Sequence, residues 1–403
     1  MNTNTIKKIE SAFLAVLVLT ACGCSTLNGE QEEKVQTETL NTEAEKVTKK
    51  DLKLSKELVN QLELRTVWSQ NVSKGKENFY LKLNPAIIKD RVYVNNHQGE
   101  LYCLDLKSGK EIWKIKDENV EYTSGIGIGD GRLFIGTGDG RVIAREVNTG
   151  KLEWVTRTSS EILAVPTADN GVTIISSSDG SVVGLDSTSG REIWNYRRTS
   201  PRLTVRGNSA PIIDGNSVIS GLDSGRIVSL DLALGKLIWN KALTLASGKT
   251  DLERMVDIDA DPVIEKSVIY AGSFQGGISA LSALDGKTLW TREISTYQGL
   301  AIDDEHVYVV DDKSNIWALK KEDGISVWKQ DTLRDRYLSP PVIFKGNLVL
   351  ADFEGYAHWI DSKSGELLSH KRISKKPIIA KPLTKDSLIL FRTNRKVVAL
   401  QHK

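Results

Sequence analysis

Three aspartates alternate along one stretch of the chain as the first ligands of a calcium-binding loop do. They are Asp257, Asp259 and Asp261. Such a loop also needs a glycine at its sixth position, for a sharp turn, and a glutamate at its twelfth. Pro262 and Val268 stand at those positions. We therefore predict that these aspartates hold no calcium ion.

The other residues able to do chemistry are dispersed. The sequence contains no Gly-x-Ser-x-Gly motif and no glycine-rich phosphate loop. A net charge of +2 and a charged fraction of 26% provide no basic surface for a nucleic acid. We predict no catalytic residue, metal, cofactor or nucleic-acid partner. The histidines also lack a repeated metal-binding spacing; they are His97, His306, His358, His370 and His402.

A repeat determines which elements must position these residues. One position recurs seven times, always four residues after a glycine, and in five copies it follows a proline by 28 residues. Repetition of this length indicates stacked copies of one supersecondary unit. The position is occupied by Trp113, Trp154, Trp194, Trp239, Trp290, Trp328 and Ser369. The prolines are Pro85, Pro166, Pro211, Pro262 and Pro341, and Ile126 and Leu300 replace them in the other two copies.

Each unit reads as four short strands joined by tight turns. Residues 85–113 alternate β-rich runs with turn clusters and contain no run long enough for an amphipathic helix. We expect the aromatic residue to pack one sheet against the next. An acidic residue eight positions earlier is expected to bond the amides of the last turn; the aspartates at this position are Asp105, Asp186, Asp231 and Asp361.

The two ends of the chain predict how the ring closes. Pro382 begins an eighth unit, but the chain stops at Lys403, before that unit reaches its last strand. Residues 62–70 provide a strand with Trp68 and no unit before it. We predict an all-β, eight-bladed β-propeller of four-stranded antiparallel blades, in which the N-terminal strand completes the C-terminal blade.

The N-terminus is typical of an exported lipoprotein. Lys7 and Lys8 precede an apolar stretch that is too short to span a bilayer and suits a signal peptide. Residues 19–22 (Leu-Thr-Ala-Cys) resemble a bacterial lipobox, which implies that Cys22 carries the lipid; cleavage before Cys24 is the alternative. We predict a signal peptide at 1–21, a lipidated polar tether at 22–60 and a propeller at 61–403. Cys103 is expected to be a buried small residue in a strand.

Two connections between blades are long and neighbour each other. They run from Trp194 to Pro211 and from Trp239 to Pro262, on either side of one blade. The first alternates aliphatic and cationic residues, and the second carries acids that could pair with them. We predict a partner-binding patch here, although two loops packed on one another would have the same sequence features. Its residues are Leu203, Val205, Arg206, Arg254, Asp257 and Asp259.

The Asp-x-x-x-Gly-x-x-x-Trp pattern is similar to that of two families. One is the quinone (PQQ)-dependent alcohol dehydrogenases, which are eight-bladed and use this unit between blades. Those enzymes are longer, and commonly have adjacent cysteines, a calcium site and a catalytic aspartate. This chain has no Cys-Cys pair.

The second resemblance is to the BamB lipoproteins of the outer-membrane β-barrel assembly machinery, and it covers the whole chain. Residues 201–211 and 252–263 look like that family's loops that contact the barrel subunit BamA. The family's two aliphatics and arginine fall on Leu203, Val205 and Arg206, and its paired acids on Asp257 and Asp259. Val205 is a departure, because leucine is more usual there.

The second resemblance implies a non-enzymatic scaffold. It would be lipid-anchored at the periplasmic face of the outer membrane, bound to BamA and the rest of the assembly complex, and able to contact nascent outer-membrane proteins. A periplasmic PQQ-dependent dehydrogenase-like propeller and a cell-wall polysaccharide-binding propeller remain the alternatives.

Overall fold

The computed structural model describes residues 60–74, 81–197, 209–244 and 256–402. Within these ranges the chain forms thirty-two β-strands and no helix. Consequently no helix of the described part is long and apolar enough to cross a membrane. The strands form eight antiparallel sheets of four strands each. The innermost strands of most neighbouring blades contact each other, and those of the first and last blades do so too. The predicted eight-bladed propeller is therefore confirmed.

The strands of each blade are called A to D from the axis outward. Blade 1 contains β2 (Ala86–Ile88), β3 (Arg91–Asn95), β4 (Glu100–Asp105) and β5 (Glu111–Lys116). Blade 2 contains β6 (Tyr122–Gly129), β7 (Arg132–Thr137), β8 (Arg141–Glu146) and β9 (Leu152–Arg157). Blade 3 contains β10 (Thr167–Asp169), β11 (Val172–Ser176), β12 (Val182–Asp186) and β13 (Glu192–Tyr196). Blade 4 contains β14 (Ile212–Asp214), β15 (Ser217–Leu222), β16 (Arg226–Asp231) and β17 (Leu237–Ala242).

The second half of the ring repeats this plan. Blade 5 contains β18 (Val263–Glu265), β19 (Val268–Gly272), β20 (Ile278–Ser282) and β21 (Thr288–Arg292). Blade 6 contains β22 (Ala301–Ile302), β23 (His306–Val310), β24 (Ile316–Lys320) and β25 (Ser326–Gln330). Blade 7 contains β26 (Val342–Phe344), β27 (Asn347–Ala351), β28 (Tyr356–Asp361) and β29 (Leu367–Arg372). Blade 8 contains β30 (Leu383–Lys385), β31 (Leu388–Arg392), β32 (Lys396–His402) and β1 (Leu64–Asn71).

The turn between strands C and D has the predicted construction. In blade 1, Asp105 Oδ1 accepts hydrogen bonds from the amide and the hydroxyl of Ser108, at 2.8 and 2.6 Å. Gly109 follows with a φ of +68°, a conformation that a side chain disfavours. In blade 2, Glu146 bonds the amides of Asn148 and Thr149 in the same way. The structural role predicted for this acidic position is confirmed.

The tryptophan of strand D joins a blade to the next in every blade except blade 7. Trp68 of blade 8 donates from Nε1 to the carbonyl oxygen of Leu106, in the C–D turn of blade 1, at 2.9 Å. Its ring lies over Gly109, where an added Cβ would be 2.5 Å from ring atoms. The glycine therefore leaves room for the neighbouring ring. The same contact joins Trp154 to Gly190, Trp194 to Gly235, Trp239 to Gly286, Trp290 to Gly324 and Trp328 to Gly365.

The ring closes as predicted. β1 pairs antiparallel with β32, and Trp68 stands opposite Ala399. One apolar core combines Trp68, Leu390 and Val397 of blade 8 with Val92 and Leu104 of blade 1. The cores thus lie between blades, so the ring buries its apolar surface only when both ends of the chain meet. The prediction that Cys103 is a buried residue in a strand is also confirmed, because its thiol is fully buried in β4.

Blade 7 departs from the repeat, and the closure explains why. Its C strand carries Trp359 opposite Ser369, whereas the other blades have a small residue on strand C opposite the tryptophan. The D strand of blade 8 is β1, from the N-terminal segment, so no C–D turn joins it to β32 for a tryptophan of blade 7 to pack on. The N-terminal segment covers this position instead: Leu62 donates its amide to Ser369 Oγ at 2.9 Å. Trp359, with no exposed surface, packs against Phe391 of blade 8.

Candidate partner-binding surface

One face of the propeller collects the connections that vary. In a four-stranded meander, the D–A connections and the B–C turns emerge on the same side, which we call the docking face. The described ends of the two long D–A connections on either side of blade 4 lie on it. Four predicted site residues of these connections are outside the described ranges, as is the predicted lipid site; they are Leu203, Val205, Arg206, Arg254 and Cys22. Their roles stay predictions.

The described ends of the two connections meet beside blade 4. The amide of Ala210, from the first connection, donates to Asp261 Oδ1, from the second, at 2.8 Å. A Cβ added at Gly221 of blade 4 would touch both Ser209 and Ile258. The absence of a side chain at Gly221 thus lets the two segments approach over the same strand. The predicted neighbourhood of the two connections is confirmed for these residues.

Asp257 and Asp259 lie deeper than a surface loop would place them. Their exposed fractions are 1% and 7%, and the segment from Val256 to Ala260 is buried throughout. The carbonyl oxygen of Asp257 accepts a hydrogen bond from the amide of Phe274 at 2.9 Å. The sequence did not indicate this burial, because the alternating acids resemble an exposed polar loop.

A third buried acid, Asp223, interacts electrostatically with Asp259. It was not identified from the sequence. It lies in the B–C turn of blade 4 and is 8% exposed. Burial, followed by the negative charge of Asp179, raises the pKa of Asp223 to about 7. No signal in the sequence distinguished this residue, because an aspartate is common in such turns. We call Asp223, Asp257 and Asp259 the acid group.

Burial and mutual repulsion act together on the acid group. Burial raises the pKa of Asp259 well above its usual range; the charges of Asp257 and Asp223 add to this, and Lys82 opposes it. One buried oxygen of Asp223 and one of Asp259 have no hydrogen-bond partner in the described ranges. Buried carboxylate oxygens are costly without donors. The group can therefore accept hydrogen bonds from cationic or amide groups brought to this face.

Two lysines of the D–A connections reach from one blade to another. Lys82 Nζ donates to the carbonyl oxygen of Tyr297 at 3.3 Å, which bridges blades 1 and 6. Lys381 belongs to the connection before blade 8, and burial lowers its pKa, with Asp261 acting in the opposite direction. These side chains add positive charge to the docking face, and the charge of Lys82 favours the ionised form of Asp259.

The arrangement offers little to a metal or a redox cofactor. Among the described residues no three histidine, cysteine, aspartate or glutamate side chains are grouped to hold a metal ion. Burial raises the pKa of the Cys103 thiol to about 11, which keeps it protonated and unreactive. His358, which is fully buried, bonds Asp352 through Nε2 at 2.8 Å.

Comparisons with solved structures recover this fold. The structure of BamB from Moraxella catarrhalis matches with a TM-score of 0.77 and 24% identity, and the match covers 84% of this chain and all of that one. A quinohemoprotein alcohol dehydrogenase from Comamonas testosteroni matches with a TM-score of 0.67 at 13% identity, over 87% of this chain and 78% of the enzyme. These two similarities show a shared propeller fold.

Comparisons of sequence are more specific. The family model described as "Outer membrane protein assembly factor BamB" matches residues 32–116 and 111–330. The protein of that name from Escherichia coli is 30% identical over 96% of both chains, and the one from Xanthomonas campestris is 31% identical over 94% of both. The family model covers most of the chain, and both relatives match it nearly end to end. The chain therefore belongs to the BamB family of outer membrane protein assembly factors.

Proposed function

We propose that this protein assists outer-membrane protein assembly as a non-enzymatic scaffold that docks on BamA through the two long connections. The observation that carries the proposal is the acid group, held where Ala210 and Asp261 join the two connections. The buried oxygens of Asp223 and Asp259 that have no hydrogen-bond partner in the described ranges would make strong contacts with donors brought by a partner. The names of the relatives, which describe assembly factors, support a binding role over a catalytic one.

The aliphatic and cationic residues would supply the remaining contacts. We propose that Leu203 and Val205 are the apolar anchors of the interface and that Arg206 makes a charge-assisted hydrogen bond. Arginine and large apolar side chains dominate the binding energy of protein interfaces. Arg254, in the second connection, would add a second cation. The interface would then combine apolar anchors with charges of both signs.

The location follows the same proposal. We propose that Cys22 carries the lipid and that residues 22–60 tether the propeller at the periplasmic face of the outer membrane. The described chain begins at Asn60, beside strand D of blade 7, where Asn60 Oδ1 accepts the amide of His370 at 2.9 Å.

Recovery of BamA with affinity-tagged, full-length variants tests the proposal. Arg206→Ala and Leu203→Ala are expected to reduce recovery roughly tenfold or more, as hot-spot residues do. Asp259→Asn tests the acid group, with Asp139→Asn as its matched control in a B–C turn of blade 2. The control is expected to recover BamA normally. Full recovery by all three site variants, with folding confirmed by circular dichroism, would remove this surface from the proposal.

A further inference from the structure

Exposed cations accumulate on the docking face of blades 7 and 8. Arg372 ends strand D of blade 7, and Lys375 follows it in the D–A connection. Arg395 and Lys396 lie at the B–C turn of blade 8, and Lys74 follows strand D of that blade. All five side chains are exposed. We call these five residues the cationic patch.

The acids of blades 7 and 8 lie elsewhere or are already paired. On the docking face, Asp352 and Glu354 both pair with Arg336, at 2.7 and 3.0 Å. The acids from residue 355 to the end of the chain all lie in C–D or A–B turns, at the opposite face; they are Asp361, Glu366 and Asp386. Within the described ranges no residue of the cationic patch forms an ion pair. The patch therefore has a positive potential that an anionic partner can neutralise.

Contacts between blades 7 and 8 hold the segments of the patch together. Val72, which precedes Lys74 in its connection, donates its amide to the carbonyl oxygen of Arg395 at 2.9 Å. The connection that carries Lys375 packs through the buried Ile378 on the apolar core shared by the two blades. The connections and the turn that carry the cations therefore adjoin one another at the boundary between the blades.

The described chain begins at the same edge of the ring. The amide of Gln61 donates to the carbonyl oxygen of Leu368 at 3.0 Å, and Asn60 Oδ1 accepts the amide of His370 at 2.9 Å. Towards its N-terminus this segment thus runs along strand D of blade 7 in the direction of Arg372. Because Arg372 is at the docking-face end of that strand, Asn60 lies close to the cationic patch.

We propose that the cationic patch binds the headgroups of anionic phospholipids, so that the edge of the ring at blades 7 and 8 faces the membrane. The position of Asn60 favours a membrane over an acidic protein, because residues 22–59 connect it to the lipid proposed on Cys22. The lipid would keep the protein near the membrane, and the patch would determine which edge of the ring faces it. Each Lys or Arg close to an anionic membrane adds attraction that falls off within a Debye length.

The inference rests on the proposed membrane location and goes beyond it, because it assigns an orientation to the propeller. Blades 4 and 8 are four positions apart in a ring of eight, so they lie on opposite sides of the axis. The acid group belongs to the side of blade 4 and the cationic patch to the side of blade 8. The membrane and BamA would therefore contact opposite edges of the docking face and would not compete.

Sedimentation with phospholipid vesicles tests the proposal on the full mature chain with Cys22→Ser, which cannot carry the lipid. The vesicles contain phosphatidylethanolamine and phosphatidylglycerol or, for comparison, phosphatidylcholine alone. The patch variant is Lys375→Gln/Arg395→Gln/Lys396→Gln, which leaves Arg372 in place. It is expected to bind the anionic vesicles roughly tenfold or more weakly than the parent chain, since three cations near the membrane surface are lost.

A control variant separates the patch from net charge. Lys107→Gln/Lys363→Gln/Lys385→Gln removes three exposed cations from the opposite face of blades 1, 7 and 8. Its affinity for the anionic vesicles is expected to stay within about twofold of the parent chain, because these charges lie beyond the Debye length from the bound membrane. An equal loss of affinity in the control and patch variants would show attraction by net charge alone and would overturn the proposal.

Recovery of BamA by the same variants distinguishes this proposal from the preceding one. The patch variant is expected to recover BamA normally, whereas Arg206→Ala loses BamA and still binds the anionic vesicles. Equal affinity of the parent chain and the patch variant for these vesicles overturns the assignment, and so does equal affinity of the parent chain for the two kinds of vesicle. Loss of BamA by the patch variant, with no vesicle binding by the parent chain, also overturns it and assigns the cations to an acidic protein surface.

Discussion

Ser369, on strand D of blade 7, stands directly opposite Trp359, on strand C. In every other blade the small residue is on strand C and the tryptophan is on strand D. Elsewhere the tryptophan is on strand D and packs on the turn of the next blade. Here the N-terminal segment occupies that space and bonds Ser369 through the amide of Leu62. The exchange of the large and the small residue between strands C and D of blade 7 is therefore part of how the ring closes.

Ser369→Trp is expected to destabilise the protein although it restores the repeat. The new ring would displace residues 60–62 and find no glycine-containing turn on blade 8, so overpacking should cost about 1–3 kcal/mol. Urea denaturation followed by fluorescence measures this change. Ser369→Ala, which removes only the hydrogen bond, serves as the control and should cost about 1 kcal/mol. A stability equal to wild type for Ser369→Trp would contradict our explanation of blade 7.

Gly109→Ala and Gly131→Ala separate backbone strain from contact between blades. The two glycines have similar φ values, +68° and +75°, so alanine costs about 1–2 kcal/mol of conformational strain at either position. Only Gly109 is covered by Trp68, while nothing lies within 4 Å of a Cβ at Gly131. We expect Gly109→Ala to lose about 1–3 kcal/mol more. Equal losses in denaturant unfolding would show that the tryptophan contact is not restrictive.

Trp68→Ala is expected to open the ring. Truncating a buried tryptophan costs about 3–5 kcal/mol, and this one also joins the two ends of the chain. Trp154→Ala is the matched control, because both tryptophans are 8% exposed and Trp154 lies within the continuous chain. Hydrogen exchange should show faster exchange in β32 for Trp68→Ala only. Unchanged protection of β32 would argue against closure by the N-terminal strand.

The acid group predicts a stability that falls as the pH rises. The folded-state pKa of Asp223 is raised from 3.8 to about 7, so the folded state binds this proton more tightly than the unfolded state. Its stabilising contribution is complete below about pH 4 and is lost as the pH rises towards 7, up to about 4 kcal/mol. Asp223→Asn should therefore be increasingly more stable than wild type across that interval, as measured by urea denaturation at pH 5 and pH 7.5.

The stability of Asp139→Asn relative to wild type is expected to depend on pH in the opposite direction. Hydrogen bonds from Arg141 and Thr137 lower the pKa of Asp139, so its contribution is present above the unfolded-state pKa and is lost as the pH falls. The difference between this variant and wild type should shrink towards low pH. If Asp223→Asn and Asp139→Asn depended on pH in the same direction, the electrostatic account of the acid group would be wrong.

The sequence predicted the framework of the molecule better than its exceptions. The regular spacing of tryptophan, glycine and proline was sufficient to predict the blades. The incomplete last unit was sufficient to predict that the N-terminal strand with Trp68 completes the C-terminal blade. Spacing could not reveal that Trp359 replaces a tryptophan at Ser369, because the compensation comes from a strand at the other end of the chain. The burial of Asp259 and the approach of Asp223 likewise depend on contacts between blades.

The pairing of β1 with β32 has a consequence for the order of synthesis. The first propeller strand to be made must wait for the last one before it gains a partner, and until then the face of blade 1 that packs against blade 8 stays uncovered. Ring closure is therefore a late, long-range step that no partial chain can complete. A ribosome that stalls before β32 leaves β1 unpaired and the apolar face of blade 1 uncovered. We expect such a product to be degraded by proteases.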